Sequence, residues 1–195
     1  MPHVEVKVAD PETGRPVRHG EPGELHIRGY LVMLGYFRSP GPTAEAVDAD
    51  GWLHTGDLGT MDANGYVRVV SRLKDMIIRG GENIYPREIE DLLRSHPEVR
   101  DVAVIGVPDP VYGEEILAFA VPEEPARPLD PQALRAYCAE RIAYHRVPQH
   151  IRVVDALPLT STGKVRKNVL RLQAEARQGN GAGTPVDPAG GPRQA

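Results

Sequence analysis

The chain has 195 residues, 41% of them hydrophobic and 26% charged, a balance that supports one ordinary or two small folded domains and excludes a wholly disordered polyelectrolyte. Lysine and arginine number 23 against 27 acids, a formal net charge of −4, which argues against whole-chain attraction to nucleic acid or to an anionic membrane. Cys138 is the single cysteine, so an internal disulfide framework and a cysteine-rich zinc site are both excluded, and a reducing, cytoplasmic setting is expected.

Residues 1–73 are read as a small, bent β unit. Val4, Val6 and Val8 alternate with polar neighbours, Leu25 and Ile27 repeat the pattern, and turn chemistry recurs at Glu21-Pro22-Gly23, Asp50-Gly51 and Asn64-Gly65. The unit opens on a strand with an apolar face and nothing before it to cover that face, so it is expected to be a piece of something larger. That first strand has no basic region followed by an apolar run, so no export signal is expected, and no apolar stretch reaches the roughly 18 residues of a membrane span.

Residues 74–177 mix helix and strand. Pro86 at a first helical position, with Glu88, Glu90 and Asp91 after it, starts a helix that buries Ile89, Leu92 and Leu93, and His96-Pro97 stops it. Residues 102–107 and 116–121 are predicted antiparallel strands. Asp130 caps a second helix with Pro131 in its first turn, and Leu134, Tyr137, Cys138 and Ile142 recur at helical spacing. A third strand at 151–154 leads to a loop at 157–164 and a basic helix, so the fold class is α+β, with a three-stranded sheet and flanking helices. Residues 178–195, rich in Gly, Pro and Ala, are expected to be a disordered tail.

Three polar clusters interrupt this pattern. They are Gly51-Trp52-Leu53-His54-Thr55-Gly56-Asp57; Arg72-Leu73-Lys74-Asp75 with Gly80-Gly81-Glu82-Asn83; and Leu159-Thr160-Ser161-Thr162-Gly163-Lys164. Taken singly, Asp57 reads as a turn acid, Arg72 and Lys74 as a solvated strand end, and Gly80-Gly81 as a hairpin turn. Lys164 after a Ser/Thr/Gly loop suits an anion such as phosphate. It does not form a Walker loop, because Pro158 stands where the first glycine belongs and Val165 where the Ser or Thr belongs.

In order and spacing these clusters resemble the adenylate-forming (ANL) superfamily of acyl-CoA synthetases, luciferase and peptide-synthetase adenylation domains. Gly29-Tyr30-Leu31-Val32-Met33-Leu34-Gly35-Tyr36 and the run 74–90 look most like medium- and long-chain fatty acyl-CoA synthetases. The resemblance implies an acid–thiol ligase. A carboxylate attacks the α-phosphate of ATP, pyrophosphate leaves, and coenzyme A captures the acyl-adenylate.

The same resemblance implies residue roles. Asp57 matches the acid that accepts from the ribose hydroxyls, and Arg72 the arginine beside that ribose, roles that suit an acceptor-only carboxylate and a permanently charged fork of donors. Lys164 matches the catalytic lysine that spans carboxylate and α-phosphate, where loss of a charge-stabilising donor costs about 10²- to 10³-fold in rate. Lys74 matches the hinge on which the carboxy-terminal lobe swings, and Gly80 and Gly81 the segment that faces coenzyme A. Ser71 and Leu159 depart from the usual glycine and basic residue at their positions.

The family's phosphate loop, its Mg²⁺-binding glutamate and its acyl pocket lie upstream of the motifs present. The expectation is therefore a carboxy-terminal fragment that is incomplete alone and acts with a separately encoded amino-terminal part. The alternative is a non-catalytic binding module derived from such an enzyme. A nucleic-acid patch of Lys164, Arg166, Lys167 and Arg171 is disfavoured because no aromatics interleave it. No metal site is expected, since Pro148 separates His145 from His150 and no HExxH pattern occurs, and His54 is read as a packing or turn residue.

Overall fold

The structure is a computed structural model that describes residues 3–125 and 127–179. Alternating strand patterns in the first third of the chain fold into a four-stranded antiparallel meander, β1 (Val4–Ala9), β2 (Gly23–Gly29), β3 (Leu53–Met61) and β4 (Val67–Arg72), in that spatial order. Register shifts between Glu24 and His26 and between Leu58 and Gly59 place an irregularity in each of the last two pairings, which bends the sheet as expected of bulges. Its buried apolar side chains are few, Val8, Ala9, Leu25 and Leu58. A helix that the sequence does not advertise, α1 (Pro40–Ala46), buries none of its residues.

A single turn of 3-10 helix, Leu73–Asp75, leads from this sheet to a second one. That sheet has five strands where three are expected. β7 (Val99–Asp109), β8 (Gly113–Pro122) and β9 (His150–Val153) are the three anticipated ones, with β7 antiparallel and β9 parallel to β8. The additional pair, β5 (Ile77–Arg79) and β6 (Glu82–Ile84), is a hairpin of two three-residue strands folded about Gly80-Gly81 and attached to β8 at Gly113. Both turn glycines have positive φ, 58° and 86°, the two-residue hairpin geometry in which side-chain-bearing residues are strained. Strands of three residues are too short to carry a period, so only the turn was legible.

Alternation along β7 and β8 divides the core in two. Val102, Val104, Ile116, Ala118 and Ala120 point to one face, where they meet Ile89 and Leu93 of α2 (Pro86–Arg94) and Leu134 and Cys138 of α3 (Pro131–Ala139). Ala103, Ile105, Val107, Leu117, Phe119 and Val121 point to the other, where Leu170 and Ala174 of α4 (Lys167–Gly179) cover them. Both faces are buried, which is why the two strands read as nearly unbroken apolar runs. Pro86 and Pro131 sit in the first turns as predicted, and Asp130 accepts from the Gln132 amide at 2.9 Å. The helix after the last loop ends at Gly179, and the tail expected from residue 178 lies, from residue 180 on, outside the described residues.

Candidate functional site

Asp57 and Arg72 stand directly opposite one another in the β3–β4 register. Arg72 Nε donates to Asp57 Oδ1 at 3.1 Å, and both side chains keep solvent access, 33% for Asp57 and 56% for Arg72. An exposed pair of this kind contributes little to stability, so its geometry is free to serve a ligand. Among the described residues Asp57 Oδ2 takes no protein hydrogen bond and remains an open acceptor.

The backbone around Asp57 is held from below. Thr55 Oγ1 donates to Leu25 O at 2.7 Å and accepts from the Asp57 amide at 3.1 Å. Glu24, 5% exposed, accepts from the Gly56 amide through Oε1 at 2.9 Å. Its other oxygen lies 3.0 Å from His26 Nε2 and 3.5 Å from His54 Nδ1, while His54 Nε2 faces Asp48 Oδ2 at 3.5 Å. Burial holds the His26 imidazole below its ordinary pKa, favouring the neutral ring. Local spacing gives only part of this cluster, because β2–β3 pairing completes it: His26 and His54 are register partners. The available signal was the i, i+2 placement of Glu24 and His26, which puts both on one face of a strand.

Two clefts flank Arg72. One, of about 430 Å³, is lined by Thr55, Gly56, Arg72, Leu73 and Lys74. The other, of about 230 Å³, sets Asp57, Ser71 and Arg72 across from Arg87, Glu90 and Lys167 of the second lobe. The structure thus gathers Asp57, Arg72 and Lys74 at the junction of the two sheets, with Lys74 exposed in the connecting 3-10 turn.

Lys164 and the Gly80-Gly81 turn line neither cleft. Lys164 closes a tight loop: Leu159 bridges Val165, the Thr160 amide donates to Lys164 O at 2.8 Å, and the Lys164 amide donates to Thr160 Oγ1 at 3.1 Å. Gly163 at φ 79° makes that turn possible. The Lys164 side chain is exposed and forms no ion pair among the described residues. Only Val165 and Arg166 separate it from Lys167, which lines the smaller cleft, so the two Cα atoms are at most about 11 Å apart. Gly80 and Gly81 are exposed at the turn of the hairpin, where the Gly80 amide donates to Tyr112 O at 2.9 Å.

Two of the four cations in the basic stripe are already paired. Lys167 Nζ lies 2.7 Å from Glu90 Oε1, and Arg171 lies 3.0 Å from Asp75 Oδ1 and 3.4 Å from the Lys74 carbonyl. Among the described residues no side-chain hydrogen bond or ion pair joins residues 3–72 to residues 76–179.

A two-sheet molecule with an acid–arginine pair at the joint and an exposed lysine loop beyond it has known counterparts. Residues 1–37 match the model of the AMP-binding enzyme family, and residues 88–164 match the AMP-binding enzyme C-terminal domain. The chain belongs to the adenylate-forming enzymes, of which it carries the carboxy-terminal domain.

Among curated relatives it is 49% identical over 171 residues to a putative acyl-CoA synthetase, YngI, of Bacillus subtilis, covering 88% of this chain and 31% of that protein. It is 46% identical over 175 residues to the mitochondrial medium-chain acyl-CoA ligase ACSF2 of Homo sapiens, covering 90% and 28%. The chain therefore spans about a third or less of the length of these relatives. Its structure is similar to ATP-bound MatB of Rhodopseudomonas palustris, with a TM-score of 0.85 at 38% identity over 90% of this chain and 35% of that one. Against apo MatB, at the same identity and coverage, the score is 0.63. Identity and coverage are the same in that contrast, so the structure of this chain is more similar to that of the ATP-bound form than to that of the apo form.

No helix among the described residues is long and apolar enough to cross a membrane.

Proposed function

We propose that the chain is the carboxy-terminal part of an ATP-dependent acyl-CoA synthetase that activates fatty acids in the cytoplasm and is incomplete without an upstream part, separately encoded or otherwise. Asp57 accepts from the ribose hydroxyls of the nucleotide, and Arg72, held opposite it, donates to the same sugar. Lys164 places an ammonium between the acid's carboxylate and the α-phosphate, where negative charge accumulates during adenylation. Lys74 serves as the hinge that exchanges Lys164 for the Gly80-Gly81 turn when coenzyme A attacks the acyl-adenylate. ATP, coenzyme A and the carboxylic acid are the substrates, and Mg²⁺ enters with ATP on ligands outside this chain. The domains divide at residues 73 and 74.

The observation that carries this reading is the Asp57–Arg72 pair lining a cleft shared by both lobes, with Asp57 Oδ2 open to an acceptor role. The likeness to ATP-bound rather than apo MatB supports assigning this lobe orientation to the adenylation step. Exposed Tyr30, Leu31, Leu34, Tyr36 and Phe37 support a missing upstream surface against which they pack.

The test is reconstitution. The purified chain alone, given ATP, Mg²⁺, coenzyme A and a medium-chain fatty acid, releases no pyrophosphate above background. Mixed with the upstream two-thirds of the Bacillus relative it does, and Lys164→Ala lowers that rate by about 10²- to 10³-fold. Brisk turnover by the chain alone, or a reconstituted rate indifferent to Lys164→Ala, refutes the assignment.

A further inference from the structure

Glu24, His26 and His54 offer one ligand atom each, all within 4.8 Å of one another. A four-coordinate Zn²⁺ with bonds of about 2.0–2.1 Å sets its ligand atoms roughly 3.3–3.4 Å apart, the edge of the tetrahedron. Glu24 Oε2 lies 3.0 Å from His26 Nε2 and 3.5 Å from His54 Nδ1, so two of the three edges already match to within a few tenths of an ångström. The imidazoles lie beside each other, centroids 4.0 Å apart and tilted by 42°. Glu24 and His26 are buried, while His54 is 35% exposed and forms the side open to solvent.

The surroundings are those of a ligand set. His54 presents Nδ1 to the cluster and turns Nε2 toward Asp48 Oδ2 at 3.5 Å, the carboxylate–histidine support that orients metal-bound imidazoles. A buried carboxylate whose partners are one backbone amide and two imidazoles lacks a full countercharge, and a divalent ion supplies one. Among the described residues His26 Nδ1 is buried without a hydrogen-bond partner, so one ligand lacks outer support. That lowers the affinity by about 10- to 100-fold relative to a fully braced site.

We propose that Glu24, His26 and His54 bind one borderline transition-metal ion, Zn²⁺ above all, with water at the fourth position. The donor set of two imidazoles and one carboxylate suits that ion and disfavours Mg²⁺ or Ca²⁺, which require oxygen ligands. The ion braces the turn before Asp57, because the same Glu24 carboxylate accepts from the Gly56 amide through Oε1. Its existence is independent of the ligase reading.

The experiment uses the full chain, without a histidine tag and stripped of metal, titrated with Co²⁺ as a spectroscopic probe and then displaced with Zn²⁺. The expected result is one equivalent of Co²⁺ with the strong visible absorption of four-coordination, abolished by excess Zn²⁺. His54→Ala weakens binding by at least about 100-fold, and Asp48→Asn by about 10- to 100-fold with the same spectrum. The partly exposed His54 is the variant of choice, since its loss leaves Glu24 and His26 to each other; far-UV circular dichroism checks that it folds. A pale six-coordinate spectrum, no stoichiometric binding by the wild-type chain, or an affinity unchanged by His54→Ala overturns the proposal.

Discussion

Replacing Arg79 by alanine tests how the Gly80-Gly81 hairpin is fastened. Arg79 Nε lies 2.8 and 2.9 Å from the two oxygens of Glu115, and the two side chains are 12% and 5% exposed. The guanidinium also stacks 4.5 Å over the Tyr112 ring. Without it, Glu115 keeps a single protein hydrogen bond among the described residues, from the Ile116 amide at 2.8 Å, and its charge is stranded in the sheet. Breaking a buried pair from one side costs about 3–5 kcal/mol. For a chain of this size each kcal/mol lowers Tm by roughly 2–4 °C, so Arg79→Ala should melt about 6–20 °C below the wild type. Thermal and urea unfolding followed by circular dichroism give the two numbers. Adding Glu115→Gln to Arg79→Ala removes the stranded charge and should return about 2 kcal/mol, at the scale of a buried charge's unmet demand. A loss below about 1 kcal/mol, or no recovery in the double variant, would show that the pair is solvated and the reasoning wrong.

Three further outcomes follow from the same geometry. Burial pushes the Cys138 thiol up to about 11, so the neutral thiol is favoured in the folded chain; stability is full below the unfolded value near 9 and falls as pH rises toward 11, a loss of about 2 kcal/mol that Cys138→Ala should erase from a stability–pH curve. Asp130→Ala removes the cap of α3 and should cost about 1 kcal/mol in urea unfolding, with Asp130→Asn or Asp130→Ser restoring most of it. Gly163→Ala forces a side chain into the left-handed region at φ 79°, at about 1–2 kcal/mol, and in the reconstituted ligase should cut pyrophosphate release through a misplaced Lys164 without changing the KM for coenzyme A; unchanged kinetics would separate loop shape from lysine placement.

Some of this molecule was legible before its coordinates. Pro86, Asp130 and Pro131 mark helix starts by chemistry that acts within four residues, and the apolar runs of β7 and β8 announce strands covered on both faces. The α+β class follows from these elements. The hairpin β5–β6 was hidden because three residues cannot display a period, and α1 because seven residues without a buried face leave no stripe. The candidate site was legible only as motifs. That Asp57 meets Arg72, or that Glu24, His26 and His54 converge, is decided by strand register, a long-range property set by turns and bulges far from the residues themselves.

The junction at Leu73–Asp75 has a thermodynamic consequence. Among the described residues no side-chain hydrogen bond or ion pair ties residues 3–72 to residues 76–179, so bonds of that kind set no preference among orientations of the two sheets. A molecule that touches both sides then decides the orientation by its unequal affinity for them, and about 5.5 kcal/mol of such inequality carries a two-state equilibrium from 1:99 to 99:1. A ligand that bridges the two sides would thus act as its own switch, tilting the balance toward the geometry it binds better.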